Sequence, residues 1–226
     1  MVREREMLEV AGRVFAERGF HAASMEEIAS GAGVSKPMIY NYFDSKEGLY
    51  FAYIELAGQR MLTRMGNAVR AAGTRPEERL WASALAFFGH VDDNRDEWSV
   101  LFGELAARGA PFSREVSAIR ARVSDATAAL FDEVLHRSGV SPDAIGGVEP
   151  LAHAFVGAGE SLANWWLNHP EESQSAMAAR LMNVAWIGLS ELLQSRVAPW
   201  PLDHEPGSAT RAASSTRARQ TRRKRA

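Results

Sequence analysis

The chain has 226 residues, of which 46% are hydrophobic and 24% charged, and this composition is typical of a globular protein with a substantial core. It contains no cysteine, which excludes disulfide frameworks, thiolate metal sites and cysteine nucleophiles and fits the cytoplasm. The formal net charge is −2, but residues 207–226 contain seven Lys or Arg residues and no acid. No apolar run reaches the roughly 18 residues of a membrane helix, and the charged N-terminus is unlike a signal peptide. We therefore expect a soluble, cytoplasmic protein.

Helix-start signals recur along the chain, whereas strand signals are missing. There is no sustained alternation of β-branched or aromatic residues with polar ones, and no Asn-Gly or Asp-Gly hairpin turn. Ser24, Asp44 and Thr74 each stand three residues before a glutamate, which is the spacing of a helix capping box. The 3.6-residue apolar periodicity predicts an all-α protein with about nine helices, at 2–18, 25–31, 36–42, 46–71, 76–92, 96–108, 113–137, 148–168 and 172–196.

The first three predicted helices form the most specific pattern in the chain. The first helix ends at Gly19, a residue suited to a left-handed helix end, and the second is capped by Ser24. The third begins at Ser35 after a short turn, and we expect the small residues Ala29 and Gly33 to permit close approach of the two helices. Two short helices joined by a glycine-containing turn predict a helix-turn-helix unit, whose second helix enters the DNA major groove.

Four short elements follow one another in this region: SMEEIA at 24–29, AGVS at 32–35, IYNYF at 39–43 and KEGL at 46–49. In this order and spacing they resemble the N-terminal domain of the TetR family of bacterial transcriptional regulators. The resemblance implies a three-helix DNA-binding domain, followed by a larger helical domain that dimerises and usually holds a small-molecule pocket.

We accordingly expect three regions along the chain. Residues 1–46 are predicted to form the DNA-binding domain, and residues 47–203 the helical ligand-binding and dimerisation domain. Residues 204–226 are predicted to be a disordered basic tail, because Ser, Thr and Arg replace apolar residues there.

The third helix supplies most of the predicted DNA contacts. Ile39 and Phe43, four residues apart, share a face that packs on the first two helices, and the other faces are free for the groove. There Lys36 can reach a phosphate or a guanine, and Asn41 can bind an adenine through two hydrogen bonds. The candidate DNA-binding residues are Ser24, Met25, Ser35, Lys36, Pro37, Met38, Tyr40, Asn41, Tyr42 and Lys46.

Several of these residues have a plainer interpretation. By resemblance, Tyr40, Tyr42 and Lys46 match positions that hold the DNA backbone. The tyrosines could equally be half-buried core residues, and Lys36 and Lys46 ordinary solvated charges. Residues 1–46 hold six Lys or Arg residues against seven acids, so this region is not basic overall.

The chain beyond residue 46 looks suited to binding an apolar ligand. The predicted helix at 46–71 is about 39 Å long at 1.5 Å per residue, enough to join a DNA-binding head to a body. Large aromatic side chains between helices create apolar pockets, so we expect a small apolar effector, although each lining residue could also be plain core. The candidate ligand-binding residues are Trp81, Leu85, Phe88, Trp98, Phe102, Phe131, His153 and Trp165, with His90, Glu104, Glu160 and Asn164 as further polar candidates.

The last two long helices carry small residues beside leucines, a pattern that permits close helix approach. We expect two copies of the chain to pair through them in a two-fold, four-helix interface, as the family resemblance also implies. Trp186 could anchor the rim of this interface or lie in the core. The small residues are Ala154, Gly157 and Ala158 on the first helix and Ala178, Ala185 and Gly188 on the second.

Enzyme motifs are absent from the sequence. Glu133 and His136 form a single Glu-x-x-His, whereas a di-iron bundle needs two, and the six histidines show no zinc spacing. We therefore predict no enzyme activity, no metal and no cofactor.

The predicted function is a homodimeric, ligand-responsive repressor that binds a pseudo-palindromic operator and is released by an apolar effector. The alternative is a helical small-molecule sensor or carrier whose head binds a protein instead of DNA.

Overall fold

A computed structural model of the chain describes residues 2–103 and 113–193, with side chains at 3–102, 114–143 and 146–184. The described ranges contain nine α-helices and no strand, which confirms the predicted all-α class. Contacts divide the chain into two compact units, Met1–Gly188 and Leu189–Ala226, and the second contributes the last turn of the final helix to the described part. None of the described helices has the length and apolarity needed to span a membrane. The predicted basic tail lies outside the described residues.

Three helices form the N-terminal head: α1 (Val2–Ala22), α2 (Met25–Gly31) and α3 (Lys36–Phe43). Helix α1 is interrupted at Gly19, whose φ of 72° and ψ of 163° are not helical, and a last turn then continues to Ala22. The predicted end of the first helix at residue 18 is therefore confirmed, with a separate helical turn after it, and the glycine adopts the positive φ that its position suggested. Ser24 caps α2 as predicted, because its hydroxyl oxygen accepts a 3.1 Å hydrogen bond from the Glu27 amide.

The turn between α2 and α3 depends on one glycine for its backbone conformation. Gly33 has a φ of 63°, and nothing lies within 4 Å of the position where its Cβ would be. The expected close approach at Gly33 was therefore wrong, and the residue serves the positive φ instead. The tight contact falls at Gly31, where a Cβ would lie 2.8 Å from Val10 Cγ1. Ile28 and Ile39 are fully buried behind this turn, and each contributes about 1.5–3 kcal/mol to folding.

Helix α4 (Lys46–Ala71) has the bounds that the periodicity predicted and joins the head to the body. Its cap is Ser45, whose hydroxyl accepts a 2.9 Å hydrogen bond from the Gly48 amide. The predicted capping role of Asp44 was wrong, since this residue ends α3 with a φ of 61°. The predicted cap at Thr74 was also wrong, because Arg75 occupies the N-cap of the next helix and makes no side-chain capping bond.

The body packs around α4, which contacts α1 on the head side and α5 and α7 on the body side. The predicted single helix at 96–108 is instead a short α-helix followed by a π-helical turn, and residues 104–108 lie outside the described part of the chain. The body helices are α5 (Pro76–Asp93), α6 (Arg95–Trp98), a π-helical turn (Ser99–Gly103), α7 (Ser113–Ser138), a 3₁₀ turn (Pro142–Ile145), α8 (Val148–Trp166) and α9 (Gln174–Leu193).

Two glycines of α4 should respond oppositely to alanine. A Cβ at Gly48 would lie 2.0 Å from the Phe43 carbonyl oxygen, so Gly48→Ala must displace backbone and should destabilise the protein by about 1–3 kcal/mol. At Gly66 a Cβ would meet only the flexible end of Arg70 at 3.4 Å, so Gly66→Ala should stabilise the helix by about 0.5–1 kcal/mol. Urea denaturation of both variants measures the difference, and a Gly48→Ala protein as stable as wild type would contradict the close approach.

Candidate nucleic-acid interface and ligand cavity

Helix α3 buries one face and exposes the other. Ile39 is 0% exposed and Phe43 7%, so this pair packs into the head as the periodicity predicted. Tyr40 and Tyr42 are 38% and 49% exposed, which places both rings on the surface and not in the core. The remaining candidates in α3 and at its N-cap also lie on the surface of the head. Ser35, Pro37 and Asn41 are exposed, and Lys36 and Met38 are partly exposed.

The two candidates at the start of α2 differ in what they present to solvent. Ser24 is partly exposed and uses its hydroxyl oxygen to cap the helix. Met25 is 5% exposed, so its side chain belongs to the core of the head. A DNA contact from Met25 could therefore come only from its backbone.

Lys36 forms an ion pair with Glu26 across the exposed surface of α2 and α3. The hydrogen bond from the ammonium holds the pKa of the Glu26 carboxyl below its usual value, and the same bond raises the pKa of Lys36. The ammonium also lies 5.9 Å from the centre of the Tyr40 ring. In the absence of DNA, the charge of Lys36 is therefore balanced by that of Glu26. Glu26 stood in the family motif, but nothing in the sequence showed that it would face Lys36.

Lys46 is used inside the head. Its ammonium donates hydrogen bonds to the carbonyl oxygens of His21, at 3.0 Å, and Ala23, at 2.8 Å. It also lies 4.8 Å from the centre of the Phe20 ring. Because Ala23 directly precedes the cap of α2, Lys46 ties the start of α4 to the end of α1 and the entry to α2. Lys46 is therefore more than a solvated charge, and two of its three N–H groups are engaged.

Tyr50 connects the head to the body one turn further along α4. Its ring packs edge-on against Phe15, at 4.8 Å between centroids, and Phe20, at 5.0 Å. Its buried hydroxyl donates a 3.2 Å hydrogen bond to the Val100 carbonyl oxygen in the π-helical turn. Head and body are thus joined through a buried directional bond as well as through apolar packing.

A line of charged groups makes a second connection between the same parts. Glu97 is 5% exposed and contacts His90 at 2.9 Å and Arg60 at 3.4 Å. Arg60 also reaches Glu9 on α1, at 3.0 Å. Burial, reinforced by the Glu97 charge, raises the pKa of the neighbouring Tyr53 hydroxyl, so this phenol stays neutral. His90 was considered as a ligand contact, and the structure places it in this buried pair instead.

A cavity of about 40 Å³ lies inside the body. Residues from α4, α5, the π-helical turn, α7, α8 and α9 line it, and most of them are apolar. Phe102 is the predicted ligand-binding residue that lines it directly. Trp98 stacks behind Phe102 with 3.9 Å between ring centroids. A cavity of this volume has room for only a few water molecules, so a larger ligand requires the helices or side chains to move apart.

The other predicted pocket residues are not among those that line this cavity. Phe88 and Phe131 are 0% and 1% exposed and lie in the core. Trp81 and Trp165 are 36% and 43% exposed on the surface. Leu85 is partly exposed, and its carbonyl accepts a hydrogen bond from Gln174; His153 is exposed and contacts Ser124.

The sequence prediction omitted the residues of α4 and α7 that form much of the cavity wall. Met61, Met65, Ile119 and Arg120 all line the cavity. The apolar spacing of Val116, Ile119 and Val123 in the sequence predicts one buried face of α7, but it does not show which part of that face meets a cavity. Glu160, a further polar candidate, does line it, whereas Glu104 lies outside the described residues.

The predicted pairing helices expose part of their small and apolar surface. Ala154, Gly157 and Ala158 on α8 are exposed, and Val184 on α9 is 76% exposed. Ala178 is buried within the chain. The side chains of Ala185, Trp186 and Gly188 lie outside the described part.

The geometry defines a helix-turn-helix head on a helical body with an internal cavity, the architecture of a one-component DNA-binding regulator. Residues 7–53 match the model of the bacterial regulatory proteins of the tetR family, and residues 76–188 match a tetracyclin repressor-like C-terminal domain. The chain therefore belongs to the TetR family and is a DNA-binding transcriptional regulator.

Individual relatives agree with this assignment. The HTH-type transcriptional activator FasR of Mycolicibacterium smegmatis is 30% identical over 196 residues, which cover 86% of each protein. A TetR-like transcriptional regulator from Rhodococcus sp. RHA1 is 34% identical, with a TM-score of 0.67 over 84% of this chain and 96% of that one. The regulator FadR from Bacillus subtilis, solved in complex with stearoyl-CoA, shares the fold at 20% identity, with a TM-score of 0.68 over 80% of this chain and 96% of that one.

Removing the Lys46 ammonium should loosen the head. Lys46→Met deletes two hydrogen bonds from a charged donor and leaves two carbonyl oxygens without that partner, so we expect a loss of about 1.5 kcal/mol or more in unfolding free energy. Lys36→Met is the matched control, because its ion pair with Glu26 is exposed and should leave stability unchanged. Equal stability of both variants by urea denaturation would show that Lys46 does not hold the head together.

Proposed function

We propose that this protein is a homodimeric, effector-responsive regulator that binds a pseudo-palindromic operator through α3. The observation that carries the proposal is the division of α3 into a buried face, which holds Ile39 and Phe43, and an exposed face of hydrogen-bonding side chains. A helix of a helix-turn-helix unit with such an exposed face is suited to the major groove. Two heads related by two-fold symmetry would then read two half-sites about one helical turn apart.

The proposed DNA contacts divide into positioning and base-reading groups. The hydroxyls of Ser35, Tyr40 and Tyr42 suit phosphate oxygens, which set the register of the head on the duplex. Asn41, exposed in the second turn of α3, suits the paired donor and acceptor of an adenine edge. Lys36 must exchange Glu26 for a phosphate or a guanine, and Lys46 retains one N–H for a phosphate.

Dimerisation is proposed to occur through α8 and α9. Val184 leaves three quarters of its surface exposed, and the exposed small residues of α8 permit close approach of a second copy. A two-fold axis through these helices repeats the same patch on both subunits. The two heads are then held at one fixed separation, as binding to a palindromic site requires.

The proposed effector occupies the cavity of the body. The apolar lining favours a largely apolar molecule, and the flexible thioether chains of Met61 and Met65 can repack as it enters. FadR of Bacillus subtilis shares the fold with this chain and was solved in complex with stearoyl-CoA, which supports an apolar ligand for a protein of this fold. Phe102 joins the cavity to the π-helical turn, whose Val100 carbonyl holds Tyr50 of the head-bearing helix. We propose that effector binding reaches the head by this path and lowers operator affinity.

Repression is the mode of action that needs the fewest additional contacts, because a dimer on an operator can block a promoter by occupancy alone. FasR is named as an activator, so the same architecture also serves activation. The match of residues 7–53 to a family of DNA-binding regulators argues against the alternative of a carrier whose head binds a protein.

Asn41→Ala should change base selection at one position of each half-site. Selection of bound sequences from a random DNA pool should yield a palindrome with wild type, and the variant should lose about 1–3 kcal/mol of discrimination at a single base pair. Asn67→Ala, which alters an exposed asparagine in the last turns of α4 and outside the head, is the control and should select the wild-type sequence. A wild-type pool with no enriched sequence would contradict the proposed function, and an Asn41→Ala pool identical to wild type would contradict the role of Asn41.

A further inference from the structure

One ion pair interrupts the apolar lining of the cavity. The Arg120 side chain of α7 donates from Nε to Glu160 Oε1 of α8 at 2.7 Å, and both residues line the cavity. The guanidinium centre lies 5.7 Å from the centre of the Phe102 ring. The terminal NH₂ groups of Arg120 form no hydrogen bond with any other described residue. Arg120 therefore offers an unused pair of donors at the cavity wall.

The lining residues are unequal in burial, and the ion pair belongs to the less buried end of the cavity. Met61, Phe87 and Ile119 are 2%, 9% and 1% exposed, so they form the inner end. The Arg120 side chain is 38% exposed and belongs to the outer end, where Met65 and Phe155 are also partly exposed. Glu160 lies beside Arg120 with a side chain that is 14% exposed. A molecule that enters from solvent would pass the ion pair before its apolar part reaches the inner end.

We propose that the cavity takes an amphiphile with an anionic headgroup, and that the free edge of the Arg120 guanidinium binds this headgroup while the hydrocarbon chain lies between Met61, Phe87 and Ile119. The inference rests on the proposed function only in placing a ligand in this cavity. A carboxylate accepts two parallel hydrogen bonds from the terminal N–H groups, the geometry that favours arginine over lysine as an anion partner.

The burial of the two charges decides the sign of the headgroup. Glu160 is the more buried of the two groups, and its charge is already balanced by the hydrogen bond from Arg120. A cationic ligand would have to lose its hydration water to reach the second oxygen of this carboxylate and would gain little in return. Arg120 is still partly hydrated, and an anion at its free edge replaces water while Glu160 stays on Nε. The guanidinium then lies between two carboxylates, which separates the two negative charges.

Three probes with the same ten-carbon chain test the headgroup: decanoate, decan-1-ol and decylamine. We expect the full-length wild-type protein to bind decanoate at least about ten-fold more tightly than the other two, because hydrogen bonds to a charged group are stronger than neutral ones. Titration calorimetry gives the dissociation constants.

Tryptophan emission locates the ligand, since Trp98 stacks on Phe102 of the cavity wall. The emission change should be lost in Trp98→Phe and kept in Trp165→Phe, whose ring stacks on His169 at the surface.

Substitutions then test whether Arg120 itself, and not the overall charge of the protein, gives the preference for decanoate. The neutral double variant Arg120→Gln/Glu160→Gln keeps side chains of similar size and leaves no unpaired buried charge, and it should bind decanoate and decan-1-ol alike. Glu160→Gln removes the competing anion and should bind decanoate at least as tightly as wild type. Arg122→Gln is the matched control, because Arg122 pairs with Glu55 on the exposed side of the same helix and should leave the preference unchanged. Thermal denaturation verifies that each variant is folded.

Any of three results overturns the inference: no C10 probe binds, decylamine or decan-1-ol binds as tightly as decanoate, or the double variant keeps the wild-type preference. An emission change that survives in Trp98→Phe would equally place the ligand elsewhere. Operator binding in a gel shift is a separate readout. If decanoate binds through Arg120 and operator affinity is unchanged, the headgroup inference stands and the effector part of the proposed function fails.

Discussion

The buried hydrogen bond from the Tyr50 hydroxyl to the Val100 carbonyl is the contact on which the relation between head and body depends. Helix α4 carries Lys46, Tyr50 and Tyr53 along one side, and the first two of these hold the end of α1 and the π-helical turn respectively. A phenol that packs on Phe15 and Phe20 at one end and donates to the body at the other cannot stay in place if either partner moves. An unpaired carbonyl in this interior costs about 1–3 kcal/mol, so the two parts favour a single arrangement.

The π-helical turn connects the cavity to the hydrogen bond of Tyr50. Phe102 and Val100 lie two residues apart in the same turn, the first against the cavity and the second bonded to Tyr50. A π-helix contains one more residue per hydrogen-bonded ring than an α-helix, and such turns frequently occur at functional sites. A ligand that displaces Phe102 therefore acts on the segment that holds Tyr50. The cavity wall, the turn, α4 and the recognition head form one contiguous path of packed and hydrogen-bonded groups, which is the physical route our proposed function uses.

The sequence predicted those features that depend on neighbouring residues. The Ser24 cap, the buried pair Ile39 and Phe43, and the bounds of α4 all follow from spacings of three or four residues or from one periodic run. Features that join distant parts of the chain could not be predicted in this way. Lys46 meets carbonyls 25 and 23 residues away, and Arg120 meets a glutamate 40 residues away, so neither partner is visible in a local pattern. The π-helical turn was predicted as continuous helix, because apolar periodicity over five residues does not distinguish the two.

The most direct test of the account is the coupling between cavity and operator in Tyr50→Phe, which removes only the hydroxyl. Operator affinity is measured with and without a saturating concentration of the C10 probe that wild type binds most tightly. The ratio of the two affinities in wild type should lie in the range of about 5–150-fold that corresponds to 1–3 kcal/mol of coupling. Our account predicts that Tyr50→Phe lowers this ratio at least about three-fold while probe binding persists. A ratio in Tyr50→Phe equal to that of wild type would contradict the claim that the Tyr50–Val100 bond transmits the signal.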